Sequence, residues 1–169
     1  MPMSMYRASV PIFLQILPAL SAVLDKAAAH ATAKKIDPQV FIDSRLYPDM
    51  FPLSRQIQIA TDFAKGACAR LAGVEPPKYA DTERNFDDLK ARIAKTVDFI
   101  KEFNPAQIDG SEERDISLML GGQPQKFKGE NYLTELVLPN FFFHATTAYA
   151  ILRHNGVELG KQDFMRAPG

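Results

Sequence analysis

Phe86, Leu89, Ile93, Val97 and Ile100 recur three and four residues apart, with lysines and acids between them. That spacing puts the five apolar groups on one face of an α-helix and the charges on the other. A helix of this kind must bury its stripe against another element to be stable. The rest of the chain supplies suitable neighbours. A first long helix is predicted from about Ser9 to Lys35, with Ser9 as its cap, Pro11 in the first turn and a kink or wide turn at Pro18. It carries two adjacent apolar stripes, Phe13, Leu17, Leu20, Leu24 and Ile12, Ile16, Val23. The arc is wider than one core face requires, so the helix either has neighbours on two sides or also makes a dimer interface.

Asp37-Pro38 signals a short helical turn, and Pro48 and Pro52 bracket an irregular stretch. A second long helix runs from Pro52 to just before Gly73, with Ile57, Ala60, Phe63, Ala64, Ala67 and Leu71 facing inward. Residues 73–82 read as a loop. Asp81 or Thr82 is expected to cap the third helix, which ends near Phe103. The apolar period then changes to two at Ile116, Leu118 and Leu120, and Gly121-Gly122 supplies the turn of a β-hairpin. The last long helix spans about Glu130 to Arg153, interrupted by Pro139 and stopped at Asn155-Gly156, and the chain after it reads as a partly ordered tail. The predicted fold is mainly all-α: one four-helix-bundle domain over residues 1–169, with a small β-hairpin between helices three and four.

Twenty basic residues balance twenty acidic ones, so no charge excess points to nucleic acid. The longest apolar run, Val10 to Leu24, is broken by Gln15, Ser21 and two prolines, and we expect a buried helix with no membrane partner. Cys68 is the single cysteine, which excludes an internal disulfide and suits a cytoplasmic protein. It falls on the inward side of the second helix, where a small core residue is the ordinary role.

Two polar side chains also point inward. His144 shares a face with Val137, Phe141, Ala148 and Ile151, and Gln56 shares one with Ala60, Phe63 and Ala67. Left unpaired inside a core, such a group costs about 1–3 kcal/mol. They therefore either hydrogen-bond each other, backbone or water, or line a pocket. In the loop before the second helix, Asp43, Arg45 and Asp49 form either an ion-pair cluster or a pocket rim, with Tyr47 and Met50 as its apolar lip. His30 and His154 lie on other faces, so the three histidines do not add up to a metal site; His154 suits the negative end of its helix.

Four stretches carry a family resemblance: "MSMYRASVPIFLQILPAL", "RLYPDMFPLSRQIQIATDFAKGACARLAG", "GGQPQKFKGENYL" and "LPNFFFHATTAYAILRHNGVELGKQDF". Through them the chain resembles the DinB/YfiT-like superfamily of four-helix bundles, and within it a bacterial family that is still a domain of unknown function. The resemblance implies a bundle with a pocket at one end, often a homodimer. Many superfamily members hold a divalent metal through three histidines, at positions that correspond here to Gln56, His144 and Ala148, so only His144 is kept. Some of those relatives transfer thiol groups or act on small metabolites.

Three functions follow as expectations. The first is a bundle that binds a small molecule in an end pocket, with no cofactor and no complete metal triad; Gln56, His144, Asp49, Arg45, Tyr47 and Asp62 are the pocket candidates. The second is a zinc- or nickel-dependent enzyme of the thiol transferase or hydrolase type, with His144 as a ligand and Asp62 or Asp49 completing the shell. The third is a structural or stress-related homodimer.

Overall fold

The computed structural model describes residues 3–166; residues 1, 2 and 167–169, the last of them the end of the predicted tail, lie outside the described residues. Four long helices make the bundle: α1 (Val10–Lys34), α3 (Leu53–Leu71), α4 (Phe86–Lys101) and α7 (Leu138–His154). Short helices α2 (Pro38–Ile42), α5 (Pro105–Ile108), α6 (Gly129–Asn131) and α8 (Lys161–Met165) lie between and after them. Helix α3 packs on α7 and α4, and α1 packs on α4 and α7. The predicted stripe of α4 is buried in full, together with Arg92 and Thr96 beside it. Phe13 of α1 meets Phe141 of α7 edge to face at 4.9 Å between ring centres, an arrangement that adds about 0.5–1.5 kcal/mol to simple burial.

Several helix ends differ from expectation. Ser9 does not cap α1, because its hydroxyl donates back to the Met5 carbonyl at 2.7 Å. Helix α1 runs unbroken through Pro18 and ends at Lys35, whose φ of 55° is the left-handed conformation that closes a helix. Asn85, rather than Asp81 or Thr82, caps α4 by accepting from the Asp88 N–H at 2.8 Å. Asp81 is unavailable because its carboxylate is held by Arg55 and Arg92. Asp37 caps α2 as its spacing predicts, accepting from the Gln39 N–H at 3.0 Å.

Pro139 interrupts the last helix through a change of winding. A proline lacks the N–H for the carbonyl four residues back and its ring crowds that carbonyl. The chain answers with a π-helical stretch, Tyr132–Val137, before α7 resumes the α winding. The Asn140 side-chain amide donates to the Leu136 carbonyl at 2.8 Å. The hairpin is an antiparallel pair, β1 (Asp115–Leu120) and β2 (Gln123–Lys128), with Asp115 opposite Lys128 and Leu120 opposite Gln123. Gly121 and Gly122 both have positive φ, as a two-residue hairpin turn requires. Ile116 is buried and Leu118 and Phe127 rest on the core, so the hairpin is docked on the bundle.

Within the described residues the tail after α7 forms α8, which packs on the flank of α1. Lys26 pairs with Asp163 at 2.8 Å, Gln15 donates to the Met165 carbonyl at 2.8 Å, and Tyr149 meets Phe164. The apolar arc of α1 itself is buried in the core, where α1 packs on α4 and α7. By length and composition α1 could cross a bilayer, yet Phe13, Ile16, Leu20, Val23 and Leu24 are buried within the chain.

Candidate functional site

Gln56 lies in the first turn of α3 and His144 near the middle of α7. Because these two helices pack face to face, the side chains meet, with His144 Nδ1 and Gln56 Oε1 2.7 Å apart. The Gln56 Nε2 donates to the Phe51 carbonyl at 3.0 Å, which orients the amide so that its oxygen faces the imidazole. A carbonyl oxygen can only accept, so Nδ1 carries the proton and, in the neutral ring, Nε2 keeps its lone pair. Burial and then the nearby Arg55 hold the His144 pKa below its ordinary value, which keeps the ring neutral at pH 7. His144 is 9% exposed. Among the described residues its Nε2 has no protein partner, and Ser111 Oγ is the only fully buried side-chain atom left unpaired, so Nε2 reaches solvent. Phe63 stacks parallel to the imidazole at 6.5 Å and Phe143 meets it edge-on at 5.1 Å.

Phe63 also lines a cleft. Between α3, the loop 72–85 and the hairpin lies a space of about 440 Å³. Phe63, Pro76, Pro77, Leu118 and Leu120 supply its apolar surface, and Asp62, Lys65, Arg70, Glu75, Lys78, Tyr79 and Tyr132 supply its polar and charged groups. Arg70 Nη1 donates to the Tyr132 hydroxyl at 3.0 Å. Burial pushes the Tyr132 phenol above its usual pKa, against the opposing pull of Arg70, so it stays protonated.

The outer wall of this cleft is held by a buried cation. Arg92 on α4 has a side chain only 2% exposed. It donates to Thr61 Oγ1 at 2.8 Å, Asp62 Oδ1 at 2.8 Å, Glu83 Oε1 at 3.1 Å and the Ala80 carbonyl at 3.2 Å, and it pairs with Asp81 at 3.1 Å. A desolvated guanidinium requires such a set of acceptors, because an unpaired one costs several kcal/mol. Gln58 holds Glu83 at 2.9 Å and Arg55 holds Asp81 at 2.6 Å, so the loop is fixed to α3 as well as α4. The Tyr79 ring completes the clamp, with Lys95 Nζ 4.2 Å and Lys65 Nζ 4.7 Å from its centre.

The sequence matches the family described as "Domain of unknown function (DUF1993)" over residues 5–165. The chain belongs to this family. A crystal structure of a DinB family member protein from Shewanella denitrificans superposes on it with a TM-score of 0.87 and 40% sequence identity, covering 96% of this chain and 92% of that one. No curated protein matches the sequence. The DUF1993 chain thus has the DinB-like helical fold that its motifs led us to expect.

The metal ligands that the superfamily resemblance implies do not fit this DUF1993 chain. Ala148 has no donor atom, and Gln56 Oε1 is taken by His144. Asp62 is bound to Lys65 and Arg92. Among the described residues no group of three or more His, Cys, Asp or Glu side chains is placed to hold a metal ion.

The other site candidates are dispersed. Asp62 lies on the cleft, but Arg45, Tyr47 and Asp49 are solvent-exposed on the segment before α3 and line no part of it. Arg45 Nη1 donates to the Met50 carbonyl at 3.1 Å, and Asp43 accepts from Gln39 at 2.9 Å. Among the described residues no ion pair joins Asp43, Arg45 and Asp49, which corrects the expected cluster; Asp43 and Arg45 take local partners instead. His30 packs edge-on against Phe41 at 5.9 Å, and His154 is exposed at the end of α7. Cys68 is buried and its thiol is pushed up to about 12 by desolvation, so it is no nucleophile.

Arg70, Tyr132 and Arg92 are the residues that sequence reasoning passed over. Arg70 carried a usable signal, since it falls in register with Phe63 and Ala67 on the inward side of the second helix. Arg92 sits three residues after Leu89, at the edge of the α4 stripe, where helical spacing alone cannot distinguish a buried arginine from a solvated one.

Proposed function

We propose that this DUF1993 protein binds a small molecule in the cleft between α3, the loop 72–85 and the hairpin, without a complete metal-ligand triad. The observation that carries the proposal is the form of that cleft. Its volume of about 440 Å³ lies within the range of small-molecule sites, and apolar side chains share its wall with Asp62, Lys65, Arg70 and Tyr132, each of which has a protein partner. Those groups are ordered by the protein's own contacts, so little freedom remains to be lost on binding. Arg92 fixes the loop wall, Arg70 is tied to Tyr132, and Phe63 rests on an imidazole that Gln56 holds in place.

A fragment screen followed by two-dimensional amide NMR tests the reading. Hits should shift the signals of Phe63, Gly66, Leu118 and Tyr132 together. Hits that shift only other surfaces, or none at all across a diverse collection, would remove it. A divalent-metal enzyme of the thiol transferase or hydrolase type would need ligands beyond His144. Stoichiometric zinc or nickel in purified protein, lost in His144→Ala, would put that reading in place of this one.

A further inference from the structure

We infer that the ligand of this cleft is a small carboxylate with an apolar body, anchored by Arg70 and the Tyr132 hydroxyl. The inference rests on the binding reading above and adds the chemical class. Guanidinium groups carry five donors and no acceptor. Arg70 directs one of them to a neutral partner, the Tyr132 oxygen at 3.0 Å. Among the described residues no carboxylate lies within ion-pair distance of Arg70, whereas the two other partly or fully buried cations beside the cleft, Lys65 and Arg92, are both paired with acids. Its positive charge therefore has no acid in direct contact, although charged side chains share the cleft wall with it.

Tyr132 adds a second donor. Its oxygen already accepts from Arg70, and its ring is almost fully buried, 1% exposed. The phenolic O–H is thus left to donate, and no protein acceptor takes it among the described residues. Two neighbouring cleft-lining groups thus have donors without a protein acceptor. Paired N–H groups of an arginine match the two oxygens of a carboxylate, with a neighbouring hydroxyl as a third contact. Gly66 makes the arrangement possible. A Cβ there would stand 2.5 Å from Arg70 Nη1, so only a glycine lets the guanidinium lie across α3 toward Tyr132.

The rest of the wall selects the body of the ligand. Pro76, Pro77, Leu118 and Leu120 offer apolar surface to a short hydrocarbon or ring. Asp62 is neutralised by Lys65 and Arg92, and Glu75 and Lys78 stand solvent-exposed on the rim with opposite charges. A single guanidinium with no acid in contact suits a monocarboxylate better than a phosphate, whose higher charge calls for several cations.

The test titrates the full chain with hexanoate and with hexanamide, its uncharged analogue, reading the Gly66 and Tyr132 amide signals. Hexanoate should bind at least about tenfold more tightly, the value expected for one charge-assisted contact. Arg70→Gln should reduce hexanoate to the level of hexanamide. Gly66→Ala should weaken hexanoate while leaving the helix intact, because only the mobile end of Arg70 has to move. Equal binding of the two probes to the cleft overturns the carboxylate anchor and leaves the binding reading standing. So does a cleft that takes neutral fragments but not hexanoate. Inorganic phosphate binding more tightly than hexanoate, in a manner that needs Arg70, overturns the class of ligand. No shift in the cleft with any probe or fragment overturns both.

Discussion

Replacing Gln56 by leucine removes one buried amide and exposes what it was satisfying. The His144 Nδ1–H then faces an apolar side chain, and the Phe51 carbonyl loses its donor. An orphaned buried group costs about 1–3 kcal/mol. The Phe51 carbonyl lies near solvent and can recruit water, so most of the loss comes from the imidazole. We expect Gln56→Leu to cost about 2 kcal/mol, which lowers the melting temperature by about 4–8 °C for a chain of this size. His144→Leu should cost a similar amount, because it strands the Gln56 carbonyl oxygen. The double variant strands neither the imidazole nor the amide, leaving only the Phe51 carbonyl to water, and should lose about 1 kcal/mol less than the sum of the two. Urea unfolding followed by circular dichroism at pH 8 measures all four proteins. Single losses that add to within about 0.5 kcal/mol would mean that the two groups are not bonded in solution. Nitrogen NMR of the imidazole gives an independent reading, since a proton on Nε2 rather than Nδ1 would refute the arrangement. The pH dependence follows with a definite sign. His144 has a folded pKa below 6.5, so below that value the unfolded chain takes up a proton that the folded chain resists. Its contribution to stability is complete above about pH 6.5 and is lost as the pH falls through 6.5 toward the lowered folded value. The His144→Leu variant should lack this part of the pH profile.

Arg92→Met should destabilise the protein by about 3 kcal/mol, the low end for a broken buried pair, because Asp62 and Asp81 remain partly solvated. Limited proteolysis should then cut within residues 75–84, and an intact loop in this variant would show that Arg92 does not hold it. Gly129→Ala places a methyl group against the Ser111 carbonyl, which is backbone and cannot swing aside. A cost of at least about 1–3 kcal/mol is expected in urea unfolding, and a neutral result would argue against this docking of the hairpin. Cys68 should react with a disulfide reagent at pH 8 only after unfolding, given its burial and a thiol pKa of about 12. Rapid labelling of the native protein would contradict that burial.

The helices were legible because their signal is local. Phe86 through Ile100 repeat at helical spacing, Asp37-Pro38 starts a helix, and Gly121-Gly122 turns a hairpin, each through geometry fixed within a few residues. The meeting of Gln56 with His144 was also within reach, since each sits on the inward stripe of its own helix. Boundaries were less legible wherever a distant partner competed. Asp81 could have capped α4, but Arg92 and Arg55 bind it more strongly than a backbone N–H would.

By itself, then, the sequence determined four amphipathic helices, one hairpin and two polar groups directed inward, since periodicity and turn chemistry act over short range. Tertiary structure alone decided that α8 covers the flank of α1, that Arg92 is buried rather than solvated, and that Arg70 reaches Tyr132 across Gly66. Those outcomes join residues 31, 62 and 150 positions apart along the chain. The energy of a charge depends on which partners the packed helices bring to it, and helical spacing carries no record of them.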